Sequence, residues 1–233
     1  MQGLCASITA STQVRTERGG RGNAGALCLY HCQHPETTST RHRLHSDQRT
    51  EPAGRQRSLP DPASQSQPPL PGEHWLGLEK MFSLTGSQGD RFLLRVELQD
   101  FEGGSAFADY STFRLGSKES SYRLHIGAYS GTAGDAFRGT YPGIDQNGSA
   151  FSTRDRDSDG CNPCIFGDIA TNSCSESQGG SGWWFSRCGS ANLNGDWHPK
   201  GDNIGWSSGV YWESWKGPAP YSFRASVMKV KAL

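Results

Sequence analysis

The sequence has few aliphatic residues and no long apolar run. Only 33% of its 233 residues are hydrophobic, and no segment approaches the roughly 18–20 apolar residues that a membrane-spanning helix needs. An excess of charge is also missing, because 23 Lys and Arg balance 23 Asp and Glu. A neutral chain gives no electrostatic reason to expect nucleic acid or an anionic membrane as a partner.

Glycine and tryptophan are abundant instead. The chain has 30 Gly and seven Trp, and Gly costs about 1 kcal/mol in a helix interior. This composition argues against a helical bundle. It favours short strands, long loops and an aromatic core.

Residues 1–71 differ from the rest of the chain. They contain no Trp, only one aromatic residue (Tyr30), and a Pro-dense end, SLPDPASQSQPPLPG. A segment with so little to bury cannot offset its ordering entropy, which predicts a disordered low-complexity tail. No signal peptide is visible, since the start has no apolar core of about 7–15 residues. The three cysteines of this segment, Cys5, Cys28 and Cys32, have no metal-binding spacing.

Residues 72–233 carry the pattern of a folded domain. Alternation of Phe92, Leu94, Val96 and Leu98 predicts a half-buried strand. The segments 106–113 and 122–127 predict two more strands in antiparallel hairpins. Beyond about residue 130 the pattern becomes long loops, which are uncommon in a compact domain unless they are functional or cross-linked.

An acidic loop lies within that loop-rich part. Asp155, Asp157 and Asp159 occupy alternate positions, and Ca²⁺ takes 6–8 oxygen ligands from carboxylates and carbonyls in such loops. No Glu follows at the position that an EF-hand requires. The alternative is a solvated loop in which Arg154 and Arg156 balance the charge.

Four cysteines, Cys161, Cys164, Cys174 and Cys188, follow the acidic loop. Disulfides suit a loop-rich domain with a thin core. A Cys₄ zinc site and free or redox-active thiols stay open as alternatives, although Cys174 and Cys188 do not form a short zinc knuckle. Asn147-Gly-Ser is an N-glycosylation acceptor sequence.

Seven segments occur in an order that resembles a known family. They are GEHWLGLE (72–79), AYSGTAGD (128–135), FSTRDRDSD (151–159), GWWFSRC (182–188), NLNG (192–195), GVYWESWK (209–216) and YSFRASVMKV (221–230). Together they resemble the fibrinogen C-terminal globular domain of fibrinogen chains, ficolins, angiopoietins, angiopoietin-like and fibrinogen-like proteins. The resemblance covers residues 72–233 and implies an α+β domain with a short twisted antiparallel sheet and long loops held by Ca²⁺ and disulfides.

The resemblance also implies a calcium site and a disulfide. The side chains of Asp157 and Asp159 and backbone carbonyls near Cys161 and Pro163 correspond to calcium ligands, and Cys174–Cys188 corresponds to the family disulfide. A cis peptide at Arg187–Cys188 is implied as well. A recognition pocket beside the calcium loop is expected to be lined by Gln178, Arg187, Gly189, Asn192, Trp206, Ser207 and Tyr211.

Two departures from the family pattern stand out. Residues 161–173 form an insertion that brings the extra cysteines Cys161 and Cys164. The opening subdomain of the family is missing, so the domain is N-terminally truncated. Strands near Trp75 and Phe92 are therefore expected to lose neighbours and to leave open, aggregation-prone edges.

The resemblance implies a secreted, non-catalytic recognition domain that binds a receptor, glycan or matrix protein. The alternative is a truncated, non-functional isoform or gene-model product. An enzyme is the least favoured reading, because no nucleophile motif or metal-spaced His pair is present. The residues that would have to serve as bases or acids are His74, His125, His198, Asp135 and Asp168.

Overall fold

A computed structural model describes residues 27–33, 74–86, 91–166, 169–198, 209–216 and 221–233. The first strands are β1 (Leu27–Gln33), β2 (His74–Trp75), β3 (Phe92–Gln99), β4 (Ser105–Tyr110), β5 (Phe113–Leu115), β6 (Leu124–Ile126) and β7 (Tyr129–Gly131). The later ones are β8 (Cys164–Phe166), β9 (Ile169–Thr171), β10 (Ala191–Asn192), β11 (Tyr211–Trp212) and β12 (Ala225–Ala232). Helices are α1 (Leu78–Thr85) and the short α2 (Cys174–Ser177), with a 3-10 turn at Lys118–Ser120.

The main sheet has six antiparallel strands in the order β2-β1-β12-β3-β4-β7. β3 lies in its interior, and Leu94, Val96 and Leu98 are buried while their neighbours are half-buried. This confirms the strand predicted from the alternation. The turn into β4 is closed by the Gly104 N–H, which donates to Asp100 Oδ1 at 2.6 Å.

The second predicted hairpin is present in shorter form. β5 and β6 pair antiparallel, with Phe113 opposite Ile126 and Leu115 opposite Leu124. All four of these side chains are buried. The segment 106–113 therefore divides between two sheets, with β4 in the main sheet and the end of the segment beginning β5.

Part of the segment expected to be disordered is a strand. β1 pairs with β12 from Leu27↔Val230 to Gln33↔Ala225 and with β2 at Tyr30↔Trp75. The disorder prediction for the whole of 1–71 is therefore wrong for residues 27–33. The prediction fails there because β12 offers a backbone edge with which these residues pair. The local composition of the tail does not reveal that edge. The remainder of 1–71 lies outside the described residues.

The expectation of open edges also needs correction. β3, which begins at Phe92, is covered on both sides by β12 and β4, so it has lost no neighbour. The edges of the main sheet are the two-residue β2 at one side and the three-residue β7 at the other. β2 pairs with β1 only at Tyr30 and His31, and β7 pairs with β4 only from Ala108 to Tyr110. Within the described residues, most of the outer edge of β1 and the start of β4 are therefore open to another chain.

An aromatic core connects this sheet to the loop-rich half. The Phe137 ring stacks on Trp183 with a centroid separation of 5.9 Å and meets Trp212 edge-on at 5.1 Å. Trp184 packs edge-on against Trp183 and against Phe151. Trp183, Trp184 and Trp212 are almost wholly buried, in agreement with the expected core role, and Trp215 is half-buried. Edge-on and offset pairs of this kind are favourable beyond the area that they bury.

No helix among the described residues is both long enough and apolar enough to cross a membrane.

Deleting residues 1–33 tests the contribution of β1. The deletion leaves β12 and β2 without the strand between them, and unpaired edges promote aggregation. About 1 kcal/mol shifts the Tm of a domain of this size by about 2–4 °C, so we expect a fall of roughly 5 °C or more and aggregation in light scattering. Deletion of residues 1–26, which keeps β1, is the matched control. Equal melting of the two truncated proteins would show that β1 contributes nothing.

Candidate functional site

The acidic loop begins on the aromatic core. Ser152 pairs with Trp183 through two backbone hydrogen bonds of 2.9 and 3.0 Å, which fixes the start of the loop against the Trp segment. Thr153 and Arg156 then close a tight turn by exchanging backbone hydrogen bonds of 2.9 and 3.0 Å. Asp155 is exposed in this turn and accepts a hydrogen bond from Thr153 Oγ1 at 2.7 Å, which lowers the pKa of Asp155.

Asp159 is the buried member of the three carboxylates, with only 5% of its surface exposed. Its Oδ1 accepts a hydrogen bond from the Cys161 N–H at 3.0 Å, and its Oδ2 accepts one from the Cys174 N–H at 2.7 Å. The backbone carbonyl of Asp159 accepts a longer bond from the Arg187 N–H at 3.4 Å. One residue therefore joins the acidic loop to the start of α2 and to the turn that holds Cys188.

The electrostatics of Asp159 favour a nearby cation. Burial raises the pKa of Asp159, the N–H groups of Cys174 and Cys161 oppose that effect, and the charge of Asp157 raises the pKa further. The net direction is upward. Asp157 lies beside it, with its Oδ1 accepting the Asp159 N–H at 3.1 Å. Among the described residues, no Lys, Arg or His forms an ion pair with either carboxylate.

The oxygen donors of this loop fit a Ca²⁺ ion by their chemistry. They are the side chains of Asp157 and Asp159 and the backbone carbonyls near Cys161 and Pro163. Both carboxylates keep lone pairs beyond the hydrogen bonds that they accept, and hard oxygen donors are what Ca²⁺ prefers. Asp155 does not join them: within the described residues, the three Asp do not form one cluster of ligand atoms.

Two disulfides close the next part of the site. Cys174 is bonded to Cys188, which is the pairing that the resemblance implies, and Cys161 is bonded to Cys164. The insertion itself forms the hairpin of β8 and β9, with Cys164 opposite Thr171. The extra cysteines therefore bind each other and leave the family pair intact. In the described chain all four of these cysteines are in disulfides. The sequence had also left a zinc site and free thiols open as alternatives.

The turn at Arg187–Gly189 has an unusual backbone. All three residues have positive φ values, 43° at Arg187, 71° at Cys188 and 69° at Gly189. A Cβ at Gly189 would lie 2.5 Å from Nε2 of the buried Gln146, so only glycine fits there. Arg187 is exposed at the surface of this turn.

The expected cis peptide at Arg187–Cys188 is absent. The cis bond found in the described residues is Asn162–Pro163, inside the insertion. The prediction is therefore wrong for Arg187–Cys188, because the chain makes its reversal there through consecutive left-handed residues and a trans peptide.

Three predicted pocket residues form a buried polar cluster. Gln178 and Asn192 have no exposed surface, and Tyr211 is 4% exposed. Gln178 Oε1 accepts hydrogen bonds from Asn192 Nδ2 at 3.2 Å and from the Tyr211 hydroxyl at 3.4 Å. Gln178 Nε2 donates to the Cys188 carbonyl at 3.3 Å. These side chains satisfy one another, so they support the turn from beneath, whereas Arg187 and Gly189 lie nearer its surface.

Other predicted residues are separate from this cluster or outside the described residues. Two predicted pocket residues, Trp206 and Ser207, lie outside the described residues. Asp168 lies outside them as well. Asn147 is exposed, and its Oδ1 accepts the Ile126 N–H at 2.9 Å. The amide nitrogen that would carry a glycan therefore lies on a surface loop.

The residues named for an enzyme are dispersed. Asp135 accepts the Tyr110 hydroxyl at 2.8 Å and forms an ion pair with Arg138 at 3.0 Å. His125 is half-buried on β6, where burial and two nearby Arg lower its pKa. His198 donates its backbone N–H to Ser222. Within the described residues, the contacts of Asp135, His125 and His198 include no nucleophile–base pair.

Gln146 is the residue of the site that the sequence did not reveal. It has no exposed surface, donates from Nε2 to the Ala191 carbonyl at 2.9 Å, and packs on Gly189. In the sequence, Gln146 directly precedes Asn147-Gly-Ser and looks like part of an ordinary surface turn. The contact is with residues more than forty positions away, so no local pattern signals it.

A short antiparallel sheet, a buried tryptophan segment and a disulfide-closed acidic loop together define a fibrinogen-like globular domain. The chain belongs to the family of fibrinogen beta and gamma chains, C-terminal globular domain, whose model matches residues 57–233. The family resemblance seen in the sequence is confirmed, and the match begins upstream of residue 72.

Relatives support the same membership. Fibrinogen-like protein 1 of Rattus norvegicus is 43% identical over 165 residues, covering 69% of this chain and 48% of the relative. Angiopoietin-2 of Mus musculus is 40% identical over 160 residues, covering 69% of this chain and 29% of the relative. The chain therefore spans about half the length of the first of these relatives and less of the second.

Solved structures show the same fold. The fibrinogen-like globe domain of human ANGPTL2 is 36% identical with a TM-score of 0.58, covering 69% of this chain and 66% of that one. Lamprey fibrin D-dimer, complexed with the peptide Gly-His-Arg-Pro-amide, is 30% identical with a TM-score of 0.65. That match covers 89% of this chain and 61% of the lamprey chain.

Replacing Gln178 with Leu tests the role of the buried polar cluster. The change leaves the buried Cys188 carbonyl without the Gln178 donor. It also removes one of two acceptors from the Asn192 amide and from the Tyr211 hydroxyl, which keep Ser181 Oγ and the Gly189 carbonyl. An unsatisfied buried polar group costs about 1–3 kcal/mol. We expect the free energy of unfolding to fall by that amount in urea denaturation. Glu176→Gln, on the exposed side of α2, is the control and should stay within about 0.5 kcal/mol. Equal stability of the Gln178→Leu and wild-type proteins would contradict a supporting role.

Proposed function

We propose that this chain is a secreted, non-catalytic recognition domain that Ca²⁺ stabilises. The observation that carries the proposal is the position of Asp159, whose carboxylate and carbonyl join the acidic loop to the exposed Arg187 turn. An ion beside Asp157 and Asp159 would neutralise two adjacent carboxylates, one of them buried. The same ion would then hold the Arg187 turn in place for a partner.

The proposed partner is a cell-surface receptor, a glycan or an extracellular-matrix protein. Membership of the fibrinogen-type family supports a recognition role, since angiopoietins and fibrinogen-like protein 1 share the domain. The lamprey neighbour was solved with a bound peptide, which favours a protein ligand. The recognition surface would comprise Arg187 and Gly189, with Trp206 and Ser207 as further candidates and Gln178, Asn192 and Tyr211 beneath.

The two disulfides and Asn147-Gly-Ser support an extracellular location. Disulfides persist in oxidising compartments and are rare in the cytosol. An exposed Asn in an acceptor sequence becomes glycosylated only in an exported protein. Recovery of the glycosylated chain from the medium of expressing cells would separate this proposal from that of a non-functional isoform.

Calcium binding predicts a shift of the melting temperature. An ion that binds only the folded form stabilises it by about 2.7 kcal/mol at a 100-fold excess over Kd, which corresponds to a rise in Tm of about 5–10 °C. The double variant Asp157→Ala/Asp159→Ala should lose this rise in differential scanning fluorimetry. The single variant Asp157→Ala should lose most of it while keeping the hydrogen bonds that the Asp159 carboxylate and carbonyl accept.

Asp155→Ala is the matched control for the calcium experiment, because Asp155 is exposed and accepts a bond from Thr153 within its own turn. It should keep the calcium response of the wild type. A response that survives in both Asp157 variants would place the ion elsewhere.

The recognition surface predicts an effect of Arg187→Ala on partner binding. We expect hits from an array of receptor ectodomains, glycans and matrix proteins to require Ca²⁺ and to bind this variant about tenfold more weakly, which corresponds to about 1.4 kcal/mol. Arg114→Ala, an exposed Arg on β5, is the control and should bind as wild type does. Calcium-independent hits that tolerate Arg187→Ala would contradict the proposed surface.

A further inference from the structure

An exposed aromatic residue lies in the loop that leads to Gln146. Tyr141 is 66% exposed, although Phe137 and Gln146 at either end of the loop are buried. Pro142 and Gly143, which follow Tyr141, are exposed as well. Single exposed apolar side chains are normal on a protein surface, so the role of Tyr141 depends on what surrounds it.

The turn that carries Tyr141 is restricted in conformation. The Ile144 N–H donates to the Tyr141 carbonyl at 3.5 Å, and Gly143 has a φ of 89°. Pro142 and Gly143 occupy the two central positions at which a type II turn favours Pro and Gly. Because proline fixes its own φ, the turn loses little conformational freedom when a partner binds to it.

The Arg187 side chain lies against this turn. Ser186 Oγ donates to the Gly143 carbonyl at 3.1 Å. A Cβ at Gly143 would lie 3.2 Å from Arg187 Nη1 and 3.5 Å from Arg187 Cδ, so the absence of a side chain at Gly143 leaves room for Arg187. Tyr141 is two residues from Gly143, which limits the separation of their Cα atoms to about 7 Å. The Tyr141 turn and the Arg187 turn therefore form one exposed surface.

The guanidinium of Arg187 is open to a partner. Within the part of the chain that the structure describes, it forms no ion pair and no side-chain hydrogen bond. A guanidinium has five N–H donors in one plane, an arrangement that matches the two oxygens of a carboxylate. Asp145 is the acidic residue of the Tyr141 loop, and its Oδ1 accepts the Asn147 N–H at 2.8 Å. The charge of Arg187 is thus not matched by a carboxylate of the adjacent loop.

We propose that the Tyr141 and Arg187 turns bind an acidic segment of a protein partner. A carboxylate of that segment would pair with Arg187, and an apolar side chain next to it would pack on Tyr141. Tyr and Arg are enriched among the residues that dominate binding energy, and Tyr offers a large contact area at a low cost in conformational entropy. The inference rests on the recognition role proposed for this chain and specifies the chemistry of its partner.

Peptide selection tests the preference for an acidic ligand. Random peptides displayed on phage are selected on the immobilised full chain in the presence of Ca²⁺. We expect the enriched peptides to carry Asp or Glu beside an aromatic or aliphatic residue, and to bind more weakly as salt is added, because exposed ion pairs are screened. A selection that enriches no peptide, or that enriches Lys and Arg, would overturn the proposal. Stronger binding of sialylated glycans than of the acidic peptides on a common array would also overturn it.

Variants of the chain test the two contacts separately. Tyr141→Ala should bind the selected peptides about tenfold more weakly, whereas Tyr141→Phe keeps the ring and should bind as the wild type does. Thr140→Ala, an exposed residue of the same loop, is the matched control and should leave affinity unchanged. Replacing the peptide carboxylate by its amide should cost about tenfold with the wild type and little with Arg187→Ala, because the two groups form one pair.

The same variants distinguish this inference from the function on which it rests. Since Tyr141 and Arg187 are exposed, their variants should melt as the wild type does. Peptides that require Ca²⁺ and Arg187 but bind Tyr141→Ala at full affinity would overturn the inference and leave the recognition role in place. Peptides that require Tyr141 and Arg187 but not Ca²⁺ would support the acidic-ligand surface and contradict the dependence on calcium.

Discussion

The buried carboxylate of Asp159 is the constraint on which the loop-rich half of the molecule depends. Its two oxygens accept N–H groups from both sides of the insertion, at Cys161 and Cys174, and its carbonyl accepts the Arg187 N–H. A buried charge is costly unless it is hydrogen-bonded or paired. The backbone donors meet part of that requirement, and the proposed Ca²⁺ would meet the rest. The acidic loop, the disulfides and the Arg187 turn are therefore one electrostatic unit.

This unit rests on the aromatic core, which the main sheet supports. Ser152 pairs with Trp183 at the start of the acidic loop, and Cys188 lies at the end of the same Trp segment. The sheet includes β1, a strand from the part of the chain with almost no aromatic residues. The family model matches residues 57–233, which include the core and the loops but not β1. β1 occupies an edge of β12 that would otherwise be open.

Much of this arrangement was predictable from local patterns. The alternation through Leu94, Val96 and Leu98 predicts β3, since one sheet face is buried. The ordered motifs predict the family. The β1 strand was missed because its pairing partner lies nearly two hundred residues away, and strand formation there depends on that partner more than on composition. Gln146 was missed for a similar reason, since its contact with Gly189 exists only after folding.

The sequence by itself determined the family, the main strand pattern and the chemical character of the site, because periodicity and residue type are local properties. Only the tertiary structure decided that Gln178 and Asn192 are buried supports, that Arg187 is exposed on a left-handed turn, and that two disulfides touch. Those properties depend on which distant segments exclude water from one another. Burial and sulfur-to-sulfur distance are set by packing, and packing is a property of the whole folded chain.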